Sequence, residues 1–315
     1  MARCLTISTF NINGLNDLKK QMKLVNLMLQ HKIDIFFIQE HNIKEEGNLD
    51  YLKKHCQIII NYSQQLKGGT AILFNLFSNM TVLNHEFDIN GYITSAKCKY
   101  FDTILQLVNV YAPSGSGKKS LREELFQNDL LYFLRGNMQN LVLGGDWNSI
   151  TTKRDCSNTE TDLLSPAFSA LKNSLTLKDV WFVTNHAVEY TYNKVNYGSR
   201  IDRIYVRELV NNVVDAINIP VSWSDHCVIK TSFKLDSVCQ FGSGYWKLNV
   251  NILCQSIVED NFRNLWESVK TQKHKFSSIL DWWNFTKCQL KIFFIKSSKI
   301  YNKRNMGYLI TLLIS

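Results

Sequence analysis

Two apolar runs that end in a carboxylate constrain the fold of this chain more than any other feature of its sequence. The runs are IDIFFIQE (33–40) and LVLGGD (141–146). Strands that are buried on both faces read as nearly continuous apolar segments, whereas strands with one solvated face alternate. The sequence therefore predicts two buried strands that deliver Glu40 and Asp146 to the edge of a sheet.

Shorter strand-like segments precede, separate and follow these two runs. They span 3–12, 57–61, 69–75, 80–87, 92–100, 103–111, 201–206, 213–219 and 227–233. Two helices are expected, one at 119–135 and one that Asp17 caps and that continues to about Lys32. The residues expected to share one face of the capped helix are Leu18, Met22, Val25 and Leu29. This mixture predicts an α/β fold, a four-layered α/β sandwich of two packed mixed β-sheets flanked by helices.

The last quarter of the chain differs in composition from the rest. A segment with Gly and Ser at about 236–244 reads as a linker, so we expect a domain at 1–236 and a basic, mostly helical extension at 237–315. From residue 239 onward there are 11 Lys and Arg and 4 Asp and Glu, which is seven of the nine net positive charges. Such a tail is either a nucleic-acid-binding surface or a solvated charged face.

Cysteine usage and hydropathy indicate the cellular setting. The eight cysteines form no C-x-x-C pair, so nothing indicates a zinc site or a redox motif. The N-terminal decapeptide has no continuous apolar segment typical of a secretory signal, and the apolar segment at 308–314 is too short to span a bilayer. We expect a reduced, intracellular protein that does not bind membranes, with a nuclear location.

Polar residues stand at the ends of many of the apolar strands, where burial is unfavourable unless they form a site. They are Asn11, Glu40, Asn109 with Tyr111, Asp146 with Asn148, Asp202, and Asp225 with His226. A single residue of this kind is more often an exposed strand end or a salt-bridge partner. Their recurrence from strand to strand indicates one shared site.

Seven short motifs occur in order along residues 1–235. They are FNINGL (10–15), IQE (38–40), KGGTAIL (67–73), NVYAP (109–113), GGDWNS (144–149), SRIDRIYV (199–206) and SDHC (224–227). The ordered set resembles the endonuclease/exonuclease/phosphatase superfamily, and especially its exonuclease III and apurinic endonuclease group. GGDWN followed by SDH is a specific combination. The resemblance implies a phosphodiesterase that cuts double-stranded DNA.

The resemblance also implies a site for Mg²⁺, for which Mn²⁺ can substitute. Glu40 is implied as the principal ligand, with help from Asn11 and Asp225. The wider implied ligand set adds Asp146, Asn148 and His226. Carboxylate and amide oxygens suit a hard cation of this kind.

The catalytic roles follow from the same resemblance. Asp146 is expected to orient or deprotonate the attacking water, and Asn148 to donate a hydrogen bond to the phosphate. His226 is expected to contact the scissile phosphate while Asp202 holds its other ring nitrogen and fixes its tautomer. The implied reaction is in-line hydrolysis that leaves a 3′-hydroxyl and a 5′-phosphate.

Three further residues are expected around this centre. Tyr111 is implied as a phenolic donor near the phosphate, and Asn109 as its support. His41 directly follows Glu40, and we expect it to touch the water shell of the metal or to be an ordinary packing residue.

The loop SGSGKKS (114–120) is a candidate for DNA contact. It follows a strand and precedes a helix, but Ala112 and Lys119 replace the Gly and the Ser or Thr that a P-loop requires. Lys118 and Lys119 are therefore expected either to lie near DNA phosphates or to form a solvated turn.

A second candidate for DNA contact is the stretch YTYNKVNYGS (190–199), which predicts a hairpin before the strand that carries Asp202. Aromatic rings can wedge at base steps, and basic side chains can enter a narrow minor groove. Tyr192, Lys194 and Arg200 are expected to contact DNA in this way, unless the tyrosines fold back on the sandwich.

The segment GSGYWKLNVNIL (242–253) resembles the connector that follows the endonuclease domain of LINE-type retrotransposon polyproteins. In those proteins the endonuclease nicks the target DNA, and the present chain would be a copy truncated before the reverse transcriptase. One alternative is an exodeoxyribonuclease III-like apurinic endonuclease of base-excision repair, which we expect to end soon after SDHC. Another is a non-catalytic DNA-binding remnant. No protein partner is evident from the sequence.

Overall fold

The computed structural model describes residues 4–44, 49–65, 67–135, 139–158, 163–185, 187–235, 248, 250–276 and 278–314. The chain divides into two compact units, Met1–Gly242 and Ser243–Ser315. The strands of the first unit are β1 (Leu5–Asn11), β2 (Ile35–Gln39), β3 (Cys56–Asn61), β4 (Thr70–Asn75), β5 (Met80–Phe87), β6 (Ile93–Tyr100), β7 (Thr103–Tyr111), β8 (Leu141–Asp146), β9 (Lys178–Asp179), β10 (Tyr192–Lys194), β11 (Tyr197–Ser199), β12 (Asp202–Val206), β13 (Val213–Ile219) and β14 (Val228–Phe233). Its helices are α1 (Leu18–Gln30), α2 (Asp50–Lys53), α3 (Lys119–Glu124), α4 (Leu130–Phe133), α5 (Pro166–Ser174) and α6 (Val180–Thr184).

The first sheet has the strand order β13-β14-β1-β2-β4-β3. β1 and β2 run parallel, and the other neighbouring strands are antiparallel. Every residue of β1, β2 and β4 is buried, which explains the continuous apolar run at 33–40. Because β1 and β2 are parallel, their carboxyl ends meet at one edge, where Asn11 pairs with Gln39 just before Glu40.

The second sheet has the strand order β5-β6-β7-β8-β12-β9. β7 and β8 are parallel, with Tyr111 opposite Asp146. β12 runs antiparallel to β8, and its first residue, Asp202, also lies opposite Asp146. The register of three strands therefore brings three of the predicted site residues to one edge of this sheet.

Three apolar clusters hold the layers together. The space between the sheets is filled by side chains that include Phe37, Ile72, Leu107, Val142 and Ile204. Leu24 and Met28 of α1 pack on the outer face of the first sheet with Phe10 and Phe36. Phe126 and Phe168 pack on the outer face of the second sheet with Trp147 and Tyr205. Helices thus cover both outer faces, and the predicted four-layered α/β sandwich is confirmed.

The first helix begins as predicted but buries a different face. The Asp17 carboxylate accepts the backbone N–H of Lys19 at 3.0 Å, which caps α1. The predicted face is wrong at Leu18 and Leu29, which are 54% and 48% exposed, and right at Val25, which is buried. The buried residues are Gln21, Leu24, Val25 and Met28. Gln21 donates to the carbonyl of Leu15 at 3.1 Å, so a polar side chain occupies a position that hydropathy alone assigns to solvent.

The predicted helix at 119–135 is present in three pieces. α3 widens into a π-helical turn at Leu125–Asp129 and continues as α4. The strand predictions agree with the structure to within a few residues, whereas α5 and α6 were not predicted.

The second unit contains two helices in its described residues, α7 (Ser256–Thr271) and α8 (Ile279–Ile314). The rings of Phe262 and Phe294 stack at 5.7 Å, and the indole N–H of Trp282 donates to the carbonyl of Val269 at 3.0 Å. The helical character predicted for this region is confirmed. The predicted linker at 236–244 lies outside the described residues, so the boundary at 236/237 stays a prediction. None of the described helices is both long and apolar enough to cross a membrane.

Gly145 provides a test of how closely β7 and β8 approach beside the site. A Cβ at Gly145 would lie 1.9 Å from the carbonyl oxygen of Val110, whereas one at Gly117 would meet nothing within 4 Å. We expect Gly145→Ala to reduce the free energy of unfolding by about 1–3 kcal/mol or more, because the clashing atom belongs to the backbone. Urea unfolding measures the change, with Gly117→Ala as the control. Equal urea midpoints for the two variants would contradict the close approach of β7 and β8 at Gly145.

Candidate active site

A cleft of about 510 Å³ opens at the edge of the sandwich where the strand ends meet. Ten of the predicted site residues line it. They are Asn11, Glu40, Tyr111, Lys118, Asp146, Asn148, Tyr192, Lys194, Asp225 and His226. The cleft therefore collects side chains from both sheets and from both loops that the sequence singled out.

Asn11 joins two carboxylates on the floor of the cleft. Its amide nitrogen donates to Glu40 Oε1 at 3.1 Å and to Asp146 Oδ2 at 2.9 Å. The hydroxyl of Tyr111 donates to the same Glu40 oxygen at 2.6 Å. Burial and the neighbouring Glu40 carboxylate both raise the pKa of Tyr111, so its phenol stays protonated and remains a donor. Three strands of two sheets thus fix the position of the Glu40 carboxylate.

The backbone of Glu40 adopts the left-handed conformation, with φ of 50°. A non-glycine residue there costs roughly 1–3 kcal/mol and persists only where its surroundings impose it. The imposing contacts are backbone hydrogen bonds, from Gly14 N–H to Glu40 O at 2.7 Å and from Leu15 N–H to His41 O at 2.8 Å. The loop after β1 therefore turns the Glu40 side chain into the cleft.

His226 is held in one orientation by Asp202. Its Nδ1 lies 2.9 Å from Asp202 Oδ2, the contact that the resemblance implies, and the Thr191 hydroxyl donates to the same oxygen at 2.7 Å. Burial alone lowers the pKa of His226, but the Asp202 carboxylate outweighs it and raises the pKa to about 9. The imidazole therefore carries a proton at neutral pH. Its Nε2 is the ring nitrogen that can donate a hydrogen bond to a ligand in the cleft.

Asp146 lies between these two groups. Burial and the nearby Asp202 carboxylate raise the pKa of Asp146, while the charge of His226 opposes that rise. The backbone N–H of Asn148 donates to Asp146 Oδ1 at 3.0 Å, and the Asn148 side chain donates to Ala112 O at 2.8 Å. A carboxylate whose pKa is raised toward neutrality is suited to accept a proton from water.

Two sets of residues could hold a metal ion. Asp146, Asp202 and His226 offer ligand atoms within 4.8 Å of one another. Two of these residues are already hydrogen-bonded to each other, and an imidazole is a poor ligand for a hard cation. The carboxylates of Glu40 and Asp146 meet on either side of the Asn11 amide on the cleft floor, and the exposed Asp225 lies at its rim. This donor set fits a divalent cation such as Mg²⁺.

The hydrogen bonds of Asn109 run to the first sheet, and its predicted support of Tyr111 stays a prediction. Asn109 is fully buried, and its amide nitrogen donates to the carbonyls of Ile38 at 2.8 Å and Ala71 at 2.9 Å. Its amide oxygen accepts from Gln39 Nε2 at 2.6 Å. Because Asn109 belongs to the second sheet and its partners belong to the first, these hydrogen bonds hold the two sheets together below the cleft.

Arg200 is the clearest correction to the predicted DNA contacts. Its side chain is 3% exposed and forms ion pairs with Asp155 at 2.9 Å and Asp179 at 2.7 Å, so it cannot reach into a DNA groove. Lys119 is exposed at the start of α3 but is not among the residues that line the cleft. The hairpin itself is present as β10 and β11, paired antiparallel.

The expectation that His41 touches the metal's water shell is also wrong. Its Nε2 donates to Asn61 O at 3.0 Å, and its Nδ1 accepts from Ile43 N–H at 3.0 Å. Burial lowers the pKa of His41 to about 4, so the ring is neutral. His41 is therefore the packing residue that the second interpretation described.

The structure adds residues that the sequence interpretation missed. Thr191 holds Asp202, and its only sequence signal is a polar residue directly before the first hairpin strand. Gln65, Lys67 and Tyr92 also line the cleft. Lys67 is the first residue of the KGGTAIL motif, which is the sequence signal that could have identified it.

Comparison with known proteins agrees with this architecture. The model of the endonuclease/exonuclease/phosphatase family matches residues 8–226. The transposon TX1 uncharacterized 149 kDa protein of Xenopus laevis is 26% identical over 305 residues, which cover 91% of this chain and 22% of that protein. The present chain thus spans about a fifth of the length of that relative.

Solved structures that share the fold include a Neisseria phosphatase and a retrotransposon endonuclease domain. The 3′ phosphatase NExo from Neisseria, bound to a product DNA hairpin, has a TM-score of 0.62 and 21% identity, covering 73% of this chain and all of that one. The endonuclease domain of TRAS1, a telomere-specific non-LTR retrotransposon, has a TM-score of 0.55 and 17% identity, covering 75% of this chain and all of that one.

The pair formed by His226 and Asp202 gives a test that does not depend on activity. Because the Asp202 carboxylate raises the pKa of His226 from its ordinary value to about 9, we expect Asp202→Asn to lower that pKa by about 1–3 pH units. The pKa is measured by ¹⁵N NMR titration of the His226 imidazole in the presence of EDTA. Asp102→Asn, on an exposed turn, is the control. An unchanged His226 titration would contradict the assigned contact.

Proposed function

The chain belongs to the endonuclease/exonuclease/phosphatase family, and on that premise we propose that it is a Mg²⁺-dependent endonuclease that nicks double-stranded DNA. The observation that carries the proposal is the cleft floor, where Asn11 joins Glu40 to Asp146 beside the His226–Asp202 pair. Lysines line the same cleft. An acidic floor with basic walls suits a bound cation and a phosphodiester backbone.

Glu40 is the proposed principal ligand of Mg²⁺, with Asn11, Asp146 and Asp225 near it and Mn²⁺ as a possible replacement. A divalent cation supplies charge neutralisation for a phosphate during hydrolysis. The predicted ligand role of His226 is less favoured, because its ring is protonated beside Asp202. Asn11 and Asn148 both donate hydrogen bonds from their amide nitrogens to Asp146, so each would offer the metal its amide oxygen only after the amide turns.

The remaining steps belong to side chains of this chain. Asp146, with its raised pKa, accepts a proton from the attacking water. His226 donates from Nε2 to a phosphate oxygen, and Asp202 stabilises the resulting charge distribution from the other side of the ring. Tyr111 and Asn148 are proposed as further donors near the phosphate. Cleavage of the bond to O3′ leaves a 3′-hydroxyl and a 5′-phosphate.

We further propose that the nick resembles the target cut made by LINE-type retrotransposons, in the nucleus. The similarity to the TX1 transposon protein supports this branch. A base-excision repair enzyme is the alternative, and a duplex with one abasic site distinguishes the two. Cleavage only at the lesion favours repair, whereas nicking of undamaged supercoiled plasmid favours the retrotransposon type.

Glu40→Gln tests the metal site. The substitution keeps the size of the side chain but removes its charge, so we expect plasmid nicking to slow by about 10²–10³-fold, with an unchanged thermal unfolding midpoint. Glu86→Gln, on an exposed strand position, is the matched control. Nicking by Glu40→Gln at the wild-type rate, or robust wild-type nicking in EDTA, would contradict the assignment.

The hairpin tip tests where the protein cuts. Val195 is 92% exposed, and Lys194 Nζ lies 5.2 Å from the centre of the Tyr192 ring at the cleft. We expect the double variant Lys194→Ala, Val195→Ala to keep metal-dependent nicking but to change the nicked sequences, because it alters a DNA-facing edge without touching the floor. Primer extension on one long duplex maps the nicks.

Lys99→Ala is the control for that experiment, because it removes the same charge from an exposed position on β6. An identical nick pattern for the hairpin variant, the control and the wild type would show that the hairpin tip does not select the target.

A further inference from the structure

Four charged side chains are buried together behind the cleft. Asp155 follows β8 in a short helical turn, Asp179 belongs to β9, and Arg200 and Arg203 flank the start of β12. Their side chains are 1%, 11%, 3% and 0% exposed, respectively. Two positive and two negative charges balance, as buried charges must when water is excluded.

The distances show that each arginine bridges both acids. Arg200 Nε lies 2.9 Å from Asp155 and its Nη1 lies 2.7 Å from Asp179. Arg203 Nη2 and Nε lie 3.1 and 3.8 Å from the same two carboxylates. These last two nitrogens are not directed at the oxygens as hydrogen bonds require, so that attraction is electrostatic. Arg203 Nη1 donates to the carbonyl of Ser149 at 2.9 Å.

The backbone around Asp155 is bound along the second strand of the hairpin. Arg200 N–H donates to Asp155 O at 2.7 Å, and Ser157 N–H donates to Gly198 O at 2.8 Å. In return, Gly198 N–H donates to the Ser157 hydroxyl at 2.9 Å. The turn that carries Asp155 therefore fixes the hairpin through both main chain and side chain.

The cluster also borders the site residue Asp202. Successive side chains of a strand point to opposite faces, so Asp202 and Arg203 face opposite sides of β12. Asp202 reaches His226 and Thr191 on its side, while Arg203 reaches the two acids on the other. Fixing residues 198–203 from behind thus fixes both the hairpin base and the carboxylate that orients His226.

We propose that Asp155, Asp179, Arg200 and Arg203 form a charge clamp that positions the hairpin and Asp202 relative to the cleft floor, and so sets the register in which DNA is cut. The part that concerns DNA rests on the proposed function. These are positioning residues, since none of them lines the cleft.

The location of the clamp separates this role from general stabilisation. The clamp joins segments on the hairpin side of the second sheet, and the apolar cluster between the sheets is built from other side chains. The Arg200 guanidinium also lies 4.5 Å from the centre of the Phe182 ring in α6, which adds a planar contact that a lysine cannot reproduce. Loss of one member should therefore loosen the hairpin while the sandwich stays folded.

Asp155→Asn is the first test, because the amide is isosteric and removes one charge that both arginines contact. Arg200→Lys is a milder second variant that keeps the charge but cannot bridge two acids. Glu208→Gln is the control, since Glu208 pairs with Arg207 at 3.2 Å at an exposed position just after β12. Backbone amide hydrogen exchange, measured without DNA or metal, shows how firmly the hairpin is held in place. Primer extension on one long duplex maps the nick pattern.

We expect exchange at the backbone amides of Ser157, Gly198 and Arg200 to be about tenfold faster or more in both clamp variants, with unchanged exchange in β1 and β2. We expect the nicks to spread over additional sequences, while the control matches the wild type. Wild-type exchange and nick pattern in both variants would overturn the clamp, as would a uniform loss of protection across both sheets. If the wild type does not nick DNA, the proposed function fails, and the exchange result alone decides whether the clamp positions the hairpin.

Discussion

The hydrogen bonds that cross from one sheet to the other are the constraint on which the site depends. Asn109 of the second sheet binds Gln39 and two carbonyls of the first, and the hydroxyls of Thr70 and Thr94 pair across the same gap at 2.8 Å. Hydrocarbon packing alone fixes how far apart two sheets lie, but hydrogen bonds also fix how one is placed along the other. That placement brings Asn11 of the first sheet onto Asp146 of the second.

The charges of the site are arranged in two systems with different purposes. On the cleft side, burial and the Asp202 carboxylate raise the pKa of Asp146, and the neighbouring carboxylates raise that of His226. Behind the strand, the clamp is balanced and lowers the pKa of Asp155, which stays ionised. One strand, β12, separates the two systems. The reactive groups therefore have shifted pKa values, while the buried charges behind them are equal in number and opposite in sign.

The sequence predicted most of the strands and the residues at their ends because burial on both faces leaves a continuous apolar pattern that stops at the edge. It failed where polar side chains are buried. Gln21 donates to a carbonyl six residues earlier, His41 to one 20 residues later, and Arg200 pairs with acids 45 and 21 residues earlier in the sequence. The residues next to Arg200 in the sequence do not reveal such distant partners. A buried arginine therefore cannot be distinguished from an exposed one by its motif alone.

The hydrogen bonds of the cleft connect residues that are far apart along the chain. Asn11 binds Asp146 across 135 positions, and the hydroxyl of Ser224 donates to the carbonyl of Asn11 across 213. Closing such long loops is entropically unfavourable until the intervening structure has formed. The left-handed backbone of Glu40 is likewise imposed by the loop after β1, and is not favoured by Glu40 itself. The cleft therefore requires both sheets to be in place, because its floor joins a residue of one sheet to a residue of the other.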